Sequence, residues 1–155
     1  MTITIHIDQL ANVVPDNQSY PLEMCRLHSA HDATKAGAQD GTTQFEQTRI
    51  TDKDLPVVRE AVATQLRRLE ARMANSLIGA THSGDIVTWH MRSSFITSNA
   101  KRLATTAAEA AAYHALSTWM FDKLPNKAQE YAAMAERLEA EAVATAFETA
   151  PPMRP

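Results

Sequence analysis

Hydrophobic and polar residues alternate over the first seven positions: Ile3, Ile5 and Ile7 are separated by Thr4 and His6, with Thr2 before them. A period of two in β-branched residues predicts a half-buried strand. Pro15, Asp16 and Asn17 mark a turn after it. Residues 20–36 predict a short helix with a weak apolar face, formed by Leu22, Cys25 or Arg26, and Ser29 or Ala30. Residues 37–50, with Gly37, Gly41 and paired threonines, read as an exposed loop.

A stronger pattern follows. Thr51 or Asp54 offers a cap, Pro56 suits a first helical turn, and Leu55, Val58, Val62, Leu66, Leu69, Met73 and Leu77 recur at spacings of three and four. That stripe predicts a helix with one buried face, and Arg59, Glu60, Arg67, Arg68, Glu70 and Arg72 fall on its solvent side. The period then changes. His82-Ser83-Gly84-Asp85 is a turn signal followed by strand-prone Ile86, Val87, Thr88 and Trp89, so a hairpin is expected around 77–96, with the N-terminal strand completing a small sheet.

A second long helix spans 99–123. Its first half carries small side chains all round, which let neighbours approach closely, and its second half carries Tyr113, Leu116, Trp119, Met120 and Phe121. Leu124-Pro125-Asn126 breaks it, and Asn126 with Gln129 has the spacing of a capping box for a third helix striped by Tyr131, Met134, Leu138 and Ala142. The expected fold is therefore mainly α: a helical bundle with a C-terminal antiparallel helical hairpin over 99–148, plus a small β element. We read one domain over 1–150 and an extended Pro-rich arm at 151–155.

Composition narrows the function classes. The chain has 155 residues, about one domain's worth, and a net charge of −3, which offers no basic surplus for phosphate binding. A lone cysteine, Cys25, excludes an internal disulfide framework and reads as a small buried hydrophobe. No basic leader precedes an apolar stretch, and no run nears ~18 apolar residues. The expectation is a chain made in the cytoplasm with no membrane span.

Candidate chemistry is sparse. His28 and His31, three apart in H-S-A-H-D and followed by Asp32, are weak metal-ligand candidates, because a structural zinc site needs four ligands and no second His/Cys pair completes it. A ferritin-like di-metal site needs Glu-x-x-His on two helices, and no glutamate here has a histidine three residues on. G-x-S-x-G, P-loop and G-x-G-x-x-G motifs are all missing. These patterns predict no enzyme, no catalytic residue and no cofactor. The remaining signal is aromatic. Trp89, Tyr113, Trp119 and Phe121 either close the core or anchor a partner, since Trp and Tyr are enriched at binding hot spots. The arm Pro151-Pro152-Met153-Arg154-Pro155 is a further interface candidate, because such a segment is ordered at low cost only against a neighbour.

From about residue 45 to 155 the order of elements is a capped helix I-T-D-K-D-L-P-V-V-R-E-A-V, a hairpin, a helix ending W-M-F-D-K-L-P, the segment K-A-Q-E-Y-A-A-M-A-E-R-L-E, and a Pro/Arg tail. That order resembles small structural proteins of phages and prophages of gut Bacteroidetes, and is similar to the head–tail connector (adaptor, or neck) proteins of long-tailed phages. The resemblance implies a short helical bundle whose copies form a ring beneath the portal protein, with a tail-side neck or tail-terminator protein as a further partner. It also implies a virion location at the neck, arms and loops docked on neighbours, no catalysis, and DNA passing through the ring without sequence-specific binding. The competing readings are a small helical metal-binding enzyme using His28, His31 and Asp32, and a regulatory protein gripping one partner through the aromatic corner.

Both the charge and the resemblance predict weak affinity for duplex DNA. In a mobility-shift titration the purified chain is expected to leave duplex DNA unretarded at physiological salt; tight binding that falls steeply with salt would contradict this.

Overall fold

The computed structural model describes residues 1–8, 20–35 and 42–148. Among them the chain forms five helices and three strands: β1 (Thr2–His6), α1 (Pro21–Lys35), α2 (Thr43–Thr48), α3 (Leu55–Arg72), β2 (Leu77–Ser83), β3 (Ile86–Met91), α4 (Ala100–Met120) and α5 (Pro125–Phe147). The architecture is mainly helical with a small antiparallel sheet, and α4 and α5 pack as a hairpin, as the sequence pattern predicts. The turn expected at Pro15–Asn17 and the arm at 151–155 lie outside the described residues.

The sheet has the order β1-β3-β2, so the N-terminal strand pairs with β3, with Ile3 opposite Trp89 and Ile5 opposite Val87. Ile3, Ile5 and Ile7 are all buried, together with Val87, Trp89 and Met91 across the pair. The β2–β3 turn is made by Gly84 and Asp85, and Gly84 takes φ of +58°, a left-handed conformation that a glycine adopts without steric cost.

α4 is the centre of the helical layer. It packs against α5, α3, α1 and β1, and Ala104, Ala107, Ala108, Ala110, Ala111, Ala112 and Ala115 are buried around its circumference. Four elements reach one helix because alanines keep their backbones close to it. The α3 stripe lies against this helix with Val58, Val62, Leu66 and Leu69 buried. The stripe continues in sequence to Leu77, but the helix stops at Arg72. Residues 74–76, Ala-Asn-Ser, form a 3₁₀ turn, and Leu77 opens β2 opposite Met91. Asn and Ser bond to nearby backbone and so favour such exits.

Three local expectations are corrected. The loop at 37–50 contains α2, begun by Thr42, whose hydroxyl accepts a hydrogen bond from the Phe45 N–H at 3.2 Å; Phe45 and Thr48 are then buried, three apart. Asp54 sits at the N-cap of α3 but does not cap it. Its carboxylate turns back to accept from the Thr51 N–H and hydroxyl, both at 2.9 Å, which ties the approach to the helix. The Asn126–Gln129 capping box does not form either. α5 already begins at Pro125, after Leu124 with no side-chain cap, because proline's fixed φ suits the first helical position and puts Asn126 inside the helix.

A carboxylate fixes α5 against α3. Glu139 is 3% exposed. It is met from α3 by Arg72 at 2.8 Å, Arg68 at 3.3 Å and the Gln65 amide at 3.2 Å. Burial by itself would raise its pKa, but the arginines and Gln65 outweigh burial and hold it below the ordinary 4.5. A carboxyl depressed in the fold contributes stability that is full above its unfolded pKa and fades as pH falls through the folded value. Glu139→Ala is expected to cost about 1–3 kcal/mol in urea unfolding at neutral pH, because Gln65 loses its buried partner while the arginines swing to solvent. The gap between the variant and the parent should narrow below about pH 4; a gap independent of pH would show that the ion pair contributes nothing.

Candidate functional site

The aromatic corner joins α4 to α5, and its three large side chains take three different positions. Met120 is fully buried. Trp119 is half-buried: its indole N–H donates to the Thr48 carbonyl at 2.7 Å, pinning the end of α2 to the end of α4. The Lys123 ammonium lies 4.0 Å from the Trp119 ring centre, a cation–π contact, and donates to the Trp119 carbonyl at 3.1 Å. Phe121 points away and is 76% exposed.

Two hollows flank the corner. One, about 1150 Å³, is bounded by α2, the 49–54 segment and the corner itself; Arg49, Lys53 and Lys123 mix there with Glu46, Asp52 and Asp122. The other, about 540 Å³, is a shallow apolar groove between α3 and α4 lined by Pro56, Val57, Ala61, Thr64, His114 and Thr118. Val57 in this groove is 68% exposed. The His114 imidazole is pushed below its ordinary pKa, first by burial and then by Arg68, with Glu139 opposing.

The metal candidates separate. Asp32 is buried and accepts a hydrogen bond from the Tyr131 hydroxyl, with the Lys127 ammonium 3.8 Å away. His28 packs against the rings of Tyr113 and Tyr131, at 5.5 and 5.8 Å. Burial lowers its pKa, and the Asp32 carboxylate opposes that. His31 is exposed on α1. His28 and Asp32 thus share the Tyr131 cluster while His31 faces solvent, and among the described residues no group of three or more His, Cys, Asp or Glu side chains gathers as a metal site. The same cluster raises the Tyr131 phenol pKa, first by burial and then through its bond to Asp32.

The other candidates also resolve. Trp89, expected as a possible partner anchor, is fully buried, and its indole N–H donates to the Glu70 carboxylate at 2.8 Å. It belongs to the core because Glu70 of α3 satisfies its one polar atom there. Tyr113 is half-buried and stacks on Tyr131 at 5.8 Å. Cys25 is buried against α4, its thiol 3.5 Å from the Ala112 carbonyl, and burial pushes its pKa up to about 12. A thiol held protonated in this way is neither a nucleophile nor a metal ligand at neutral pH. Pro151–Pro155 lie outside the described residues.

The sequence reading overlooked two features. The Glu70–His82–Trp89 cluster joins α3 to both β2 and β3, with His82 Nε2 2.5 Å from Glu70. The sequence pattern puts Glu70 on the solvent side of α3, whereas its side chain is largely buried, held there by His82 and Trp89. Exposed Ile78, 73% accessible on β2, is the second. Among the described residues no helix is long and apolar enough to cross a membrane. Comparison with protein-family models, curated proteins and solved structures finds no match.

The corner separates fold from surface. Trp119→Ala is expected to lower stability by about 2–3 kcal/mol, since it removes a half-buried indole and orphans the Thr48 carbonyl. Phe121→Ala should change stability by less than about 0.5 kcal/mol, as expected for an exposed position. Thermal denaturation of both variants measures this; equal losses would mean that Phe121 is packed in solution.

Proposed function

We propose that this chain is a structural subunit of the neck of a tailed phage, in which copies form a ring that joins the portal to the tail and lets DNA pass without reading its sequence. The observation that carries the reading is Phe121, a large aromatic left 76% exposed at the tip of the α4–α5 hairpin. Aromatic anchors of this kind dominate protein contacts. The exposed Val57 and its groove lie a turn or two from the same end of the helices, so the contact has an apolar surround.

The chemistry-bearing side chains favour the same reading. His28 and Asp32 are engaged with tyrosines, and Cys25 is protonated in the core. Such contacts stabilise a scaffold. The order of elements resembles that of connector proteins, and the net charge of −3 suits a channel wall, since a strongly basic surface would retain the passing duplex. On this reading the chain is made in the host cytoplasm and ends in the virion, with portal and tail-side neck proteins as its neighbours.

Disruption of the gene in a phage that carries it tests the reading. Filled heads and separate tails that fail to join are expected in electron micrographs, with joining restored by the wild-type chain supplied in trans and not by Phe121→Asp. Intact, infectious particles from the disrupted phage would overturn the proposal.

A further inference from the structure

The small sheet has two outer edges, and the hydrogen-bond phase of each is fixed. On one side, Ile7 N–H donates to the Asp85 carbonyl and Met91 N–H to the Met1 carbonyl, both at 2.8 Å. Ile3 and Ile5 therefore lie in hydrogen-bonded pairs with Trp89 and Val87, and alternation turns the backbone N–H and C=O of Thr2, Thr4 and His6 away from β3. On the other side, the two-residue turn sets Ser83 opposite Ile86 as a hydrogen-bonded pair, with Thr81 opposite Thr88 as the next. Ala80 and His82 then direct their backbone groups outward. Among the described residues, no backbone hydrogen bond outside the sheet involves Thr2, Thr4, His6, Ala80 or His82.

Natural sheets protect such edges with charged side chains, proline, bulges or a covering element. β1 reads T-I-T-I-H and β2 reads L-I-G-A-T-H-S, without an acidic, Lys, Arg or Pro residue in either. A bulge between Leu77 and Gly79 confines the regular part of β2 to Gly79–Ser83, five residues, the same length as β1. Ile78 at the bulge, Ala80, Thr81 and Ser83 are exposed.

We infer that the occupant of the β2 edge is the β1 edge of a second copy of this chain, so that neighbouring copies share one continuous sheet. Both strands run antiparallel to β3 and hence parallel to each other, and rotation about a ring axis that the strands follow preserves strand direction. β2 therefore meets the neighbour's β1 in parallel. One head-to-tail contact, repeated, satisfies both edges of every copy. A two-fold β2–β2 pairing leaves each β1 open, and a foreign strand fills one edge only. Two equal, neutral edges also meet without charge repulsion. The pairing needs two different complementary patches, which is the requirement of a closed ring. It deepens the ring reading and rests on that reading for its closure.

Disulfide trapping of the full chain at high protein concentration tests it. Thr4 and Thr81 lie on the sheet face turned from the core, and the native Cys25 thiol is buried and protonated, so introduced cysteines report alone. Thr4→Cys combined with Thr81→Cys, or with Ser83→Cys to cover the register, is expected to give a ladder of multimers on oxidation under non-reducing electrophoresis. Each single-cysteine variant should stay monomeric. Ala80→Pro, which removes an outward N–H, should abolish the ladder with the far-UV spectrum unchanged; if that variant does not fold, Ala80→Lys serves the same purpose. Monomer only from both double variants would overturn the pairing. So would a dimer from Thr81→Cys alone that grows no further, because that product marks two-fold β2–β2 contact. Ring-shaped necks in micrographs without a ladder would defeat the edge pairing and leave the neck reading standing. A ladder from a chain dispensable for joining heads to tails would do the reverse.

Discussion

The fold depends on how closely other elements can approach α4. A helix that receives α5, α3, α1 and a sheet at once has no spare radius for large side chains on most of its faces. Alanine meets that demand: it favours the helix by propensity and brings neighbouring backbones near. The large residues of α4 are rationed to points where a gap must be filled, with Leu103 toward one end and Leu116 and Met120 toward the other. Cys25 fits the same rule from the α1 side, where its small thiol rests against an α4 carbonyl. Any larger residue at the buried alanines would push an element outward, and the overpacking cost is typically 1–3 kcal/mol per site.

Close packing by small apolar residues is not directional, so it does not by itself set where along α4 each neighbour docks. Three carboxylates supply that information. Glu139 fixes α5 against α3 through Arg68, Arg72 and Gln65. Asp32 fixes α1 against α5 through Tyr131 and Lys127. Glu70 fixes the sheet to α3 through Trp89 and His82. Each is a polar group whose removal from water is tolerable in one relative placement of two elements, because only there are its lone pairs satisfied.

Much of this was legible where one segment determines its own fate. The α3 stripe, the alternation of β1, the Gly84 turn and the Leu124-Pro125 break all encode local geometry, and they gave the helical class and the hairpin. The misses share a physical cause. α2 forms because Phe45 has somewhere to bury, which the threonines around it do not reveal. α3 stops where Leu77 is needed by a strand partner far along the chain. The aromatics divide likewise: Trp89 is core with Glu70 receiving its N–H, Trp119 is half-core with Thr48 receiving its own, and Phe121, which has no polar atom to anchor, is left exposed. Residue type alone could not sort them, since the acceptors lie 19 and 71 positions away. The surroundings of the metal candidates were equally hidden, as Asp32 accepts a hydrogen bond from a tyrosine 99 residues distant.

The distribution of exposed apolar and unpaired groups then carries the functional argument. Where two elements of this chain meet, the structure satisfies its large side chains and most of its polar groups. Among the described residues, several exposed apolar groups lie at the margins: Phe121 at the tip of the helical hairpin, Val57 in the α3–α4 groove, and Ile78 beside the neutral edges of the sheet, with Leu27 exposed on α1 as well. A monomer selected only for its own stability gains nothing from such features, and an open neutral edge exposes it to aggregation. On the proposed reading, a rigid centre with exposed apolar margins suits a part that assembles with copies of itself. The carboxylate clamps would matter to that proposed role as well, because a contact surface split between a helix tip and a sheet edge would present a defined geometry only if helices and sheet are held in one register.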